Sequence, residues 1–201
     1  MNPTVIDLLR HGEADGALCL GGVYDAPLNA HGWAQMRAVL PPKDTAVPWS
    51  GIVSSPLLRC ADFAREVAGN HDLPLKFDAR FREIGFGSWE GQRWEALYKN
   101  EGERLQAFQH NPSSNPAPGG EDYLDFERRI ADAWNELLDL AQGQHWLLVI
   151  HGGTIRALLR QVLEFPAASL FRIDVPHASL SRLQHDGSAG ATRLIFHGGR
   201  L

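Results

Sequence analysis

The chain is poor in cysteine and lysine and has no long apolar run. Its 201 residues include two cysteines, Cys19 and Cys60. These are too few for a disulfide framework and do not form a C-x-x-C pair, so both are expected to be reduced thiols. No stretch approaches the roughly 18 continuous apolar residues that a membrane span needs. The first residues also lack a basic segment followed by an apolar signal core. A cytoplasmic location without a membrane partner is therefore expected. The formal net charge of -5 argues against partners held chiefly by charge, and no nucleic acid partner is expected. Repeats and low-complexity tracts are absent as well.

At 44% hydrophobic composition, the chain can bury a sizeable core, and its length favours a single domain over residues 1–201. The basic residues are unevenly divided, with 16 arginines against Lys43, Lys76 and Lys99. That bias suits forked recognition of carboxylates or phosphates.

Three places repeat one pattern, a short apolar run that meets polar chemistry and then a helix-like segment. Val5-Ile6-Asp7-Leu8-Leu9 runs into Arg10-His11-Gly12, and Gly51-Ile52-Val53 runs into Ser54-Ser55-Pro56. There Pro56 suits the first turn of a helix carrying Arg59. Trp146-Leu147-Leu148-Val149-Ile150 runs into His151-Gly152-Gly153, ahead of a helix from Thr154 to Leu163. Buried strands of an α/β sheet read as such runs, and these folds hold ligands at the carboxyl ends of their strands. Two histidines and two arginines are thus expected at one rim. Further helices are predicted at His31 to Leu40, Pro56 to Gly69 and, less regularly, Trp94 to His110. An amphipathic helix is predicted over Asp122 to Gln142, where Tyr123, Phe126, Ile130, Ala133, Trp134, Leu137 and Ala141 recur at helical spacing. Between the last two, His110 to Gly120 reads as a surface loop. Leu170 to Asp174, Ser179 to Leu183 and Thr192 to Phe196 read as strands, the last two joined by a turn around Asp186-Gly187-Ser188. A mixed α/β sheet with antiparallel edge strands follows.

Arg10-His11-Gly12-Glu13, Ser54-Ser55-Pro56-Leu57-x-Arg59 and His151-Gly152-Gly153 together resemble the histidine phosphatase superfamily. Two further blocks resemble it in the expected order: Gly22-x-x-Asp25-x-Pro27-Leu28-x-x-x-Gly32-x-x-Gln35 and Glu83-Ile84-Gly85-Phe86-Gly87-Ser88-Trp89-Glu90-Gly91. The resemblance implies a three-layer α/β/α sandwich with a mixed, mostly parallel central sheet. It also implies phosphomonoester hydrolysis through a phosphohistidine on His11. Arg10, Arg59, His151 and Gly22 would hold the phosphoryl group, with His151 and Glu83 counted among the catalytic groups. Glu83 matches the proton donor, although Glu13 and Glu90 stand in the same motifs.

The chemistry has reasons of its own. Neighbouring arginines disfavour an imidazolium and keep His11 neutral and nucleophilic. Fixed cations also stabilise phosphoryl oxygens as a metal would. A protonated His151 would add a third positive group. No metal and no cofactor are expected, and the histidines outside the motifs (His31, His71, His110, His145, His185, His197) form no ligand-spaced pair. His177 stands where relatives often carry a small polar residue, and both a pocket role and a structural role are open. Trp89, Trp94 and Tyr98 could stack on a flat leaving group or simply pack.

The short Gly21 to Asp25 loop and the Glu83 to Gly91 block most resemble alpha-ribazole phosphatases, which implies a small-molecule substrate of cobalamin assembly. Alternatives are another or broad-specificity histidine phosphatase, a phosphatase acting on protein phosphohistidine, a phosphoglycerate mutase-like enzyme, or a non-catalytic phosphate-binding module. A homodimer is left open. Ala14, Phe63 and Asp122 depart from the family pattern and bear on substrate contacts.

Overall fold

A computed structural model describes residues 2–16, 21–43, 45–187 and 191–199. Cys19 and Ser188 lie outside the described residues, so neither the Cys19 thiol nor the whole 186–188 turn is described. Six strands form one sheet in the order β3-β2-β4-β1-β5-β6. Three of the central strands are the continuous apolar runs: β1 (Thr4–Arg10), β2 (Gly51–Ser54) and β4 (His145–Ile150). β1 and β2 both pair in parallel with β4, and β2 pairs in parallel with β3 (Leu75–Phe77). β5 (Leu180–His185) and β6 (Thr192–Gly199) close the other side as antiparallel neighbours.

Alternation along these strands supplies two apolar faces. Ile6 and Leu8 of β1 and Trp146, Leu148 and Ile150 of β4 pack with α4 (Tyr123–Leu140) and α5 (Gly152–Leu163). Leu9, Ile52, Leu147 and Val149 face the opposite layer, with Met36 of α1 (Ala30–Arg37) and Phe63 and Val67 of α2 (Leu58–His71). This is the three-layer sandwich with a mixed sheet. A third cluster, built on Trp89, Leu97, Leu105 and Phe108, gathers around α3 (Trp94–His110), which is kinked at Glu101.

Two expectations are corrected. Leu170 to Asp174 is not a strand. Ala167–Arg172 forms a 3₁₀ turn after Pro166, with Leu170 buried and Phe171 exposed. A five-residue apolar run does not by itself separate strand from turn, and the fixed φ of Pro166 suits entry to a helical turn. Pro56 also lies outside its helix, because α2 starts at Leu58 with Leu57 as its N-cap. β3, unforeseen, is three residues long and largely exposed, so it offers little apolar pattern.

Candidate active site

β1, β2 and β4 all end at the same rim, and the residues that follow them meet there. The His11 amide donates to the Ile150 carbonyl (3.0 Å), and its carbonyl accepts from the Ala178 amide (3.2 Å). The nucleophile candidate is thereby fixed between the end of β4 and the 176–179 turn. Gly12 is required by packing, since a Cβ there would sit 2.3 Å from the Gly32 carbonyl oxygen of α1. The His11 Nδ1 lies 2.7 Å from the Gly12 carbonyl oxygen. A carbonyl can only accept, so Nδ1 carries the proton and Nε2 keeps a free lone pair. Burial, then the Arg59 and Arg10 charges, hold the His11 pKa well below the ordinary imidazole value.

His151 follows β4, is completely buried, and its ring centroid is 5.2 Å from that of His11. Its Nδ1 accepts from Arg59 Nε at 3.2 Å, so the proton belongs on Nε2, which lies 2.8 Å from Ser55 Oγ. Burial and the field of Arg59 push its pKa far down as well. His151 therefore meets Arg59 as a neutral ring and not as a third cation. Arg59 is further bound to the Tyr24 carbonyl (2.8 Å) and the Gly22 carbonyl (2.6 Å). Gly22 reaches the site through Arg59, and Gly21 lines the cleft in its place. Asp25 in the same loop accepts from the Leu58 amide at 2.6 Å and so caps α2, the helix that carries Arg59.

Arg10 donates through Nη1 to the Val175 carbonyl, while its buried Nε has no hydrogen-bond partner among the described residues. Burial lowers its pKa to about 10 against the opposing field of Glu83. The Glu83 carboxylate lines the cleft and accepts from the amides of Gly153 (2.9 Å) and Ile84 (3.1 Å). It thus sits at the positive N-terminus of α5. Gly153 allows this approach, since a Cβ would lie 2.3 Å from Glu83 Oε1. The other carboxylates are committed elsewhere. Glu90 accepts from the amides of Val23, Tyr24 and Phe86, and Glu13 from the side chain of Asn29. A surface pairing of Glu83 with Arg80 is not formed, because Arg80 binds Asp78 and Glu136.

Two lining residues were missed or left undecided by the motifs. Arg156 on α5 reaches the cleft, donates to the Ile173 carbonyl (2.9 Å), and lies in the fields of Glu83 and Asp174. A lone arginine within the apolar turns of Ile155-Arg156-Ala157-Leu158-Leu159 was the available signal. His177 also lines the cleft, with its ring 5.6 Å from His11 and its pKa lowered to about 4 by burial and Arg10. Of the departures from pattern, Ala14 lines the cleft. Phe63 instead packs in the core beside Trp33 (5.8 Å), and Asp122 caps α4. Trp89 is buried, whereas Trp94 lines the cleft. Among the described residues, no group of three or more His, Cys, Asp or Glu is placed to hold a metal ion, and no helix is long and apolar enough to cross a membrane.

Comparison with known proteins bears on this geometry. The family described as Histidine phosphatase superfamily (branch 1) matches residues 6–196. A bifunctional protein of Mycobacterium tuberculosis is 30% identical over 99% of the chain, which spans 55% of that relative's length. The chain therefore covers about half of these mycobacterial relatives. The "Probable phosphoglycerate mutase GpmB" of Salmonella choleraesuis is 29% identical over 90% of this chain and 85% of its own. A mycobacterial glucosyl-3-phosphoglycerate phosphatase of known structure superposes with a TM-score of 0.84 at 26% identity, covering 98% of this chain and 100% of the other.

Proposed function

The chain belongs to the histidine phosphatase superfamily, and from that premise we propose that it hydrolyses phosphomonoesters through a phosphohistidine on His11. The observation that carries the proposal is the His11 ring itself. Its Nδ1–H is tied to the Gly12 carbonyl, so a neutral Nε2 lone pair is free at a cleft that also holds Arg10 and Arg59. In the first step Nε2 attacks phosphorus, the N–P bond forms, and the ester P–O bond breaks. Glu83 gives its proton to the departing oxygen. In the second step the same carboxylate takes a proton from water, whose oxygen attacks phosphorus and releases phosphate and neutral His11.

Charge on the phosphoryl oxygens is met by Arg10, Arg59 and Arg156 and by the N-terminus of α5, which is the role a metal fills in other phosphatases. His151 and Gly22 hold the Arg59 guanidinium in place. The Gly21 to Asp25 loop and the Glu83 to Gly91 block favour the alpha-ribazole 5'-phosphate of cobalamin assembly as the substrate.

The test is to quench turnover of a labelled ester. Acid-labile, base-stable phosphate is expected on the protein, absent in His11→Ala, with activity retained after chelation. Label that survives His11→Ala would overturn the nucleophile, and loss restored only by a divalent ion would overturn the metal-free mechanism.

A further inference from the structure

The cleft, about 250 Å³ in volume, is larger than the phosphoryl pocket and changes character along its length. Arg10, Arg59, Glu83 and His177 line it around His11, Asp15 lines it as well, and Arg156 reaches from this group to the Phe171 ring. One wall is aromatic. Phe86 and Phe108 stand with ring centroids 5.7 Å apart, and Phe108 and Phe171 5.8 Å apart, and Ile84, Trp94 and Pro112 complete a stretch without a charged side chain. Phe171, on the 3₁₀ turn, is 43% exposed. An apolar ring left open at a cleft wall, continuous with buried rings, suits contact with a ligand.

The cations are already committed. Arg156 lies 5.5 Å from the Phe171 ring and in the fields of Glu83 and Asp174, and its charge is the one already assigned with Arg10 and Arg59 to the transferring phosphoryl group. Arg10 and Arg59 belong to the His11 end. A second anionic group on the substrate would lose water against this wall and would have to compete with the phosphoryl group for Arg156, the cation that borders it among the described residues.

We propose that the Phe86–Phe108–Phe171 wall is the leaving-group subsite, and that it takes a flat, uncharged aromatic leaving group and rejects one carrying a carboxylate or a second phosphate. This rests on phosphomonoester hydrolysis at His11. It goes beyond that reading by locating the leaving group and by separating this chain from enzymes of phosphoglycerate-type esters.

Two isosteric esters test it, 4-carbamoylphenyl phosphate and 4-carboxyphenyl phosphate, with glycerol 2-phosphate as a small non-aromatic reference. In the unmodified protein the amide is expected to exceed the carboxylate in kcat/KM by at least about ten-fold, the cost of desolvating an unpaired charge. In Phe171→Ala, the ratio of kcat/KM for the carbamoyl ester to that for glycerol 2-phosphate is expected to fall roughly ten-fold, chiefly through KM, as for a lost stacking contact. Because Phe171 is half exposed, the variant should keep its fold. Equal turnover of the two aryl esters, or an unchanged ratio in Phe171→Ala, would overturn the subsite. If none of the three esters is hydrolysed, the hydrolytic reading itself fails and the subsite fails with it.

Discussion

Glu83 illustrates how one carboxylate is made available while its neighbours are not. Its oxygens are aimed by two backbone amides, Gly153 and Ile84, and the approach depends on the missing side chain at residue 153. Gly153→Ala would drive a methyl group into the carboxylate without touching any ionisable group. The expected result is a fall in kcat of about 10²-fold on alkyl phosphates, whose leaving oxygen needs a proton, and a much smaller fall on 4-nitrophenyl phosphate. Equal losses on both esters would mean that the proton comes from elsewhere. At this scale the sequence was informative where chemistry sits in a short motif. Arg10, His11, Arg59, Glu83 and His151, each named from a motif, are brought to one rim by the fold. Arg156 could not be named that way, because an arginine on a buried helix looks like a salt-bridge partner until the fold turns it toward a cleft. Nor could His151's neutral state, which depends on complete burial and on Arg59 reaching it from another element.

Elements differ in how openly they declare themselves. β1, β2 and β4 are sheathed on both faces, so their apolar runs are continuous; β3, at the sheet edge, has only three residues and one half-buried side chain. The 167–172 turn misleads because Leu170 and Phe171 are both apolar although only one is buried. The segment carrying Glu83 has no regular structure of its own and is held by a neighbouring helix. Arg129 of α4 donates to the carbonyls of Arg80, Arg82 and Glu83 and is paired with Glu121, which in turn accepts from the Gly85 amide. Removing that guanidinium leaves three carbonyls without this donor and the partly buried Glu121 carboxylate without its cation. For Arg129→Met, a stability loss of about 2–4 kcal/mol in denaturant unfolding is expected, with charge-assisted bonds the main cause. A fall in kcat should accompany it at temperatures where the variant remains folded. A variant that lost less than about 0.5 kcal/mol, the range of ordinary surface substitutions, would show that the segment is held by other contacts.

Across the whole molecule, the parallel strands bring His11, Arg59 and His151 from distant parts of the chain to one rim, and closing the core around them leaves their charge states tied to folding. His11 and His151 stay neutral in the folded protein far below the pH at which an exposed imidazole protonates, first because of burial and then because of Arg59. In the unfolded chain both take up protons as pH falls through about 6.5. The unfolded state then binds more protons than the folded one, so stability must fall with falling pH below that point, by up to about 1.4 kcal/mol per pH unit for each ring. A second loss sets in at lower pH. Asp7 is fully buried between β4 and β5, and burial alone would raise its pKa. Hydrogen bonds from His145, Arg182 and Trp49 outweigh that and lower it. The stability Asp7 contributes is present above its ordinary value and is lost as pH falls through its folded pKa. Urea midpoints should therefore be level near neutrality, decline below about pH 6.5 and decline further below about pH 4. In His11→Gln the first decline should be shallower, since one of the three rings with a lowered pKa, His11, His151 and His177, is gone. A profile as steep in His11→Gln as in the unmodified chain would mean that His11 is not held neutral by the fold, and its readiness as a nucleophile at neutral pH would need another source.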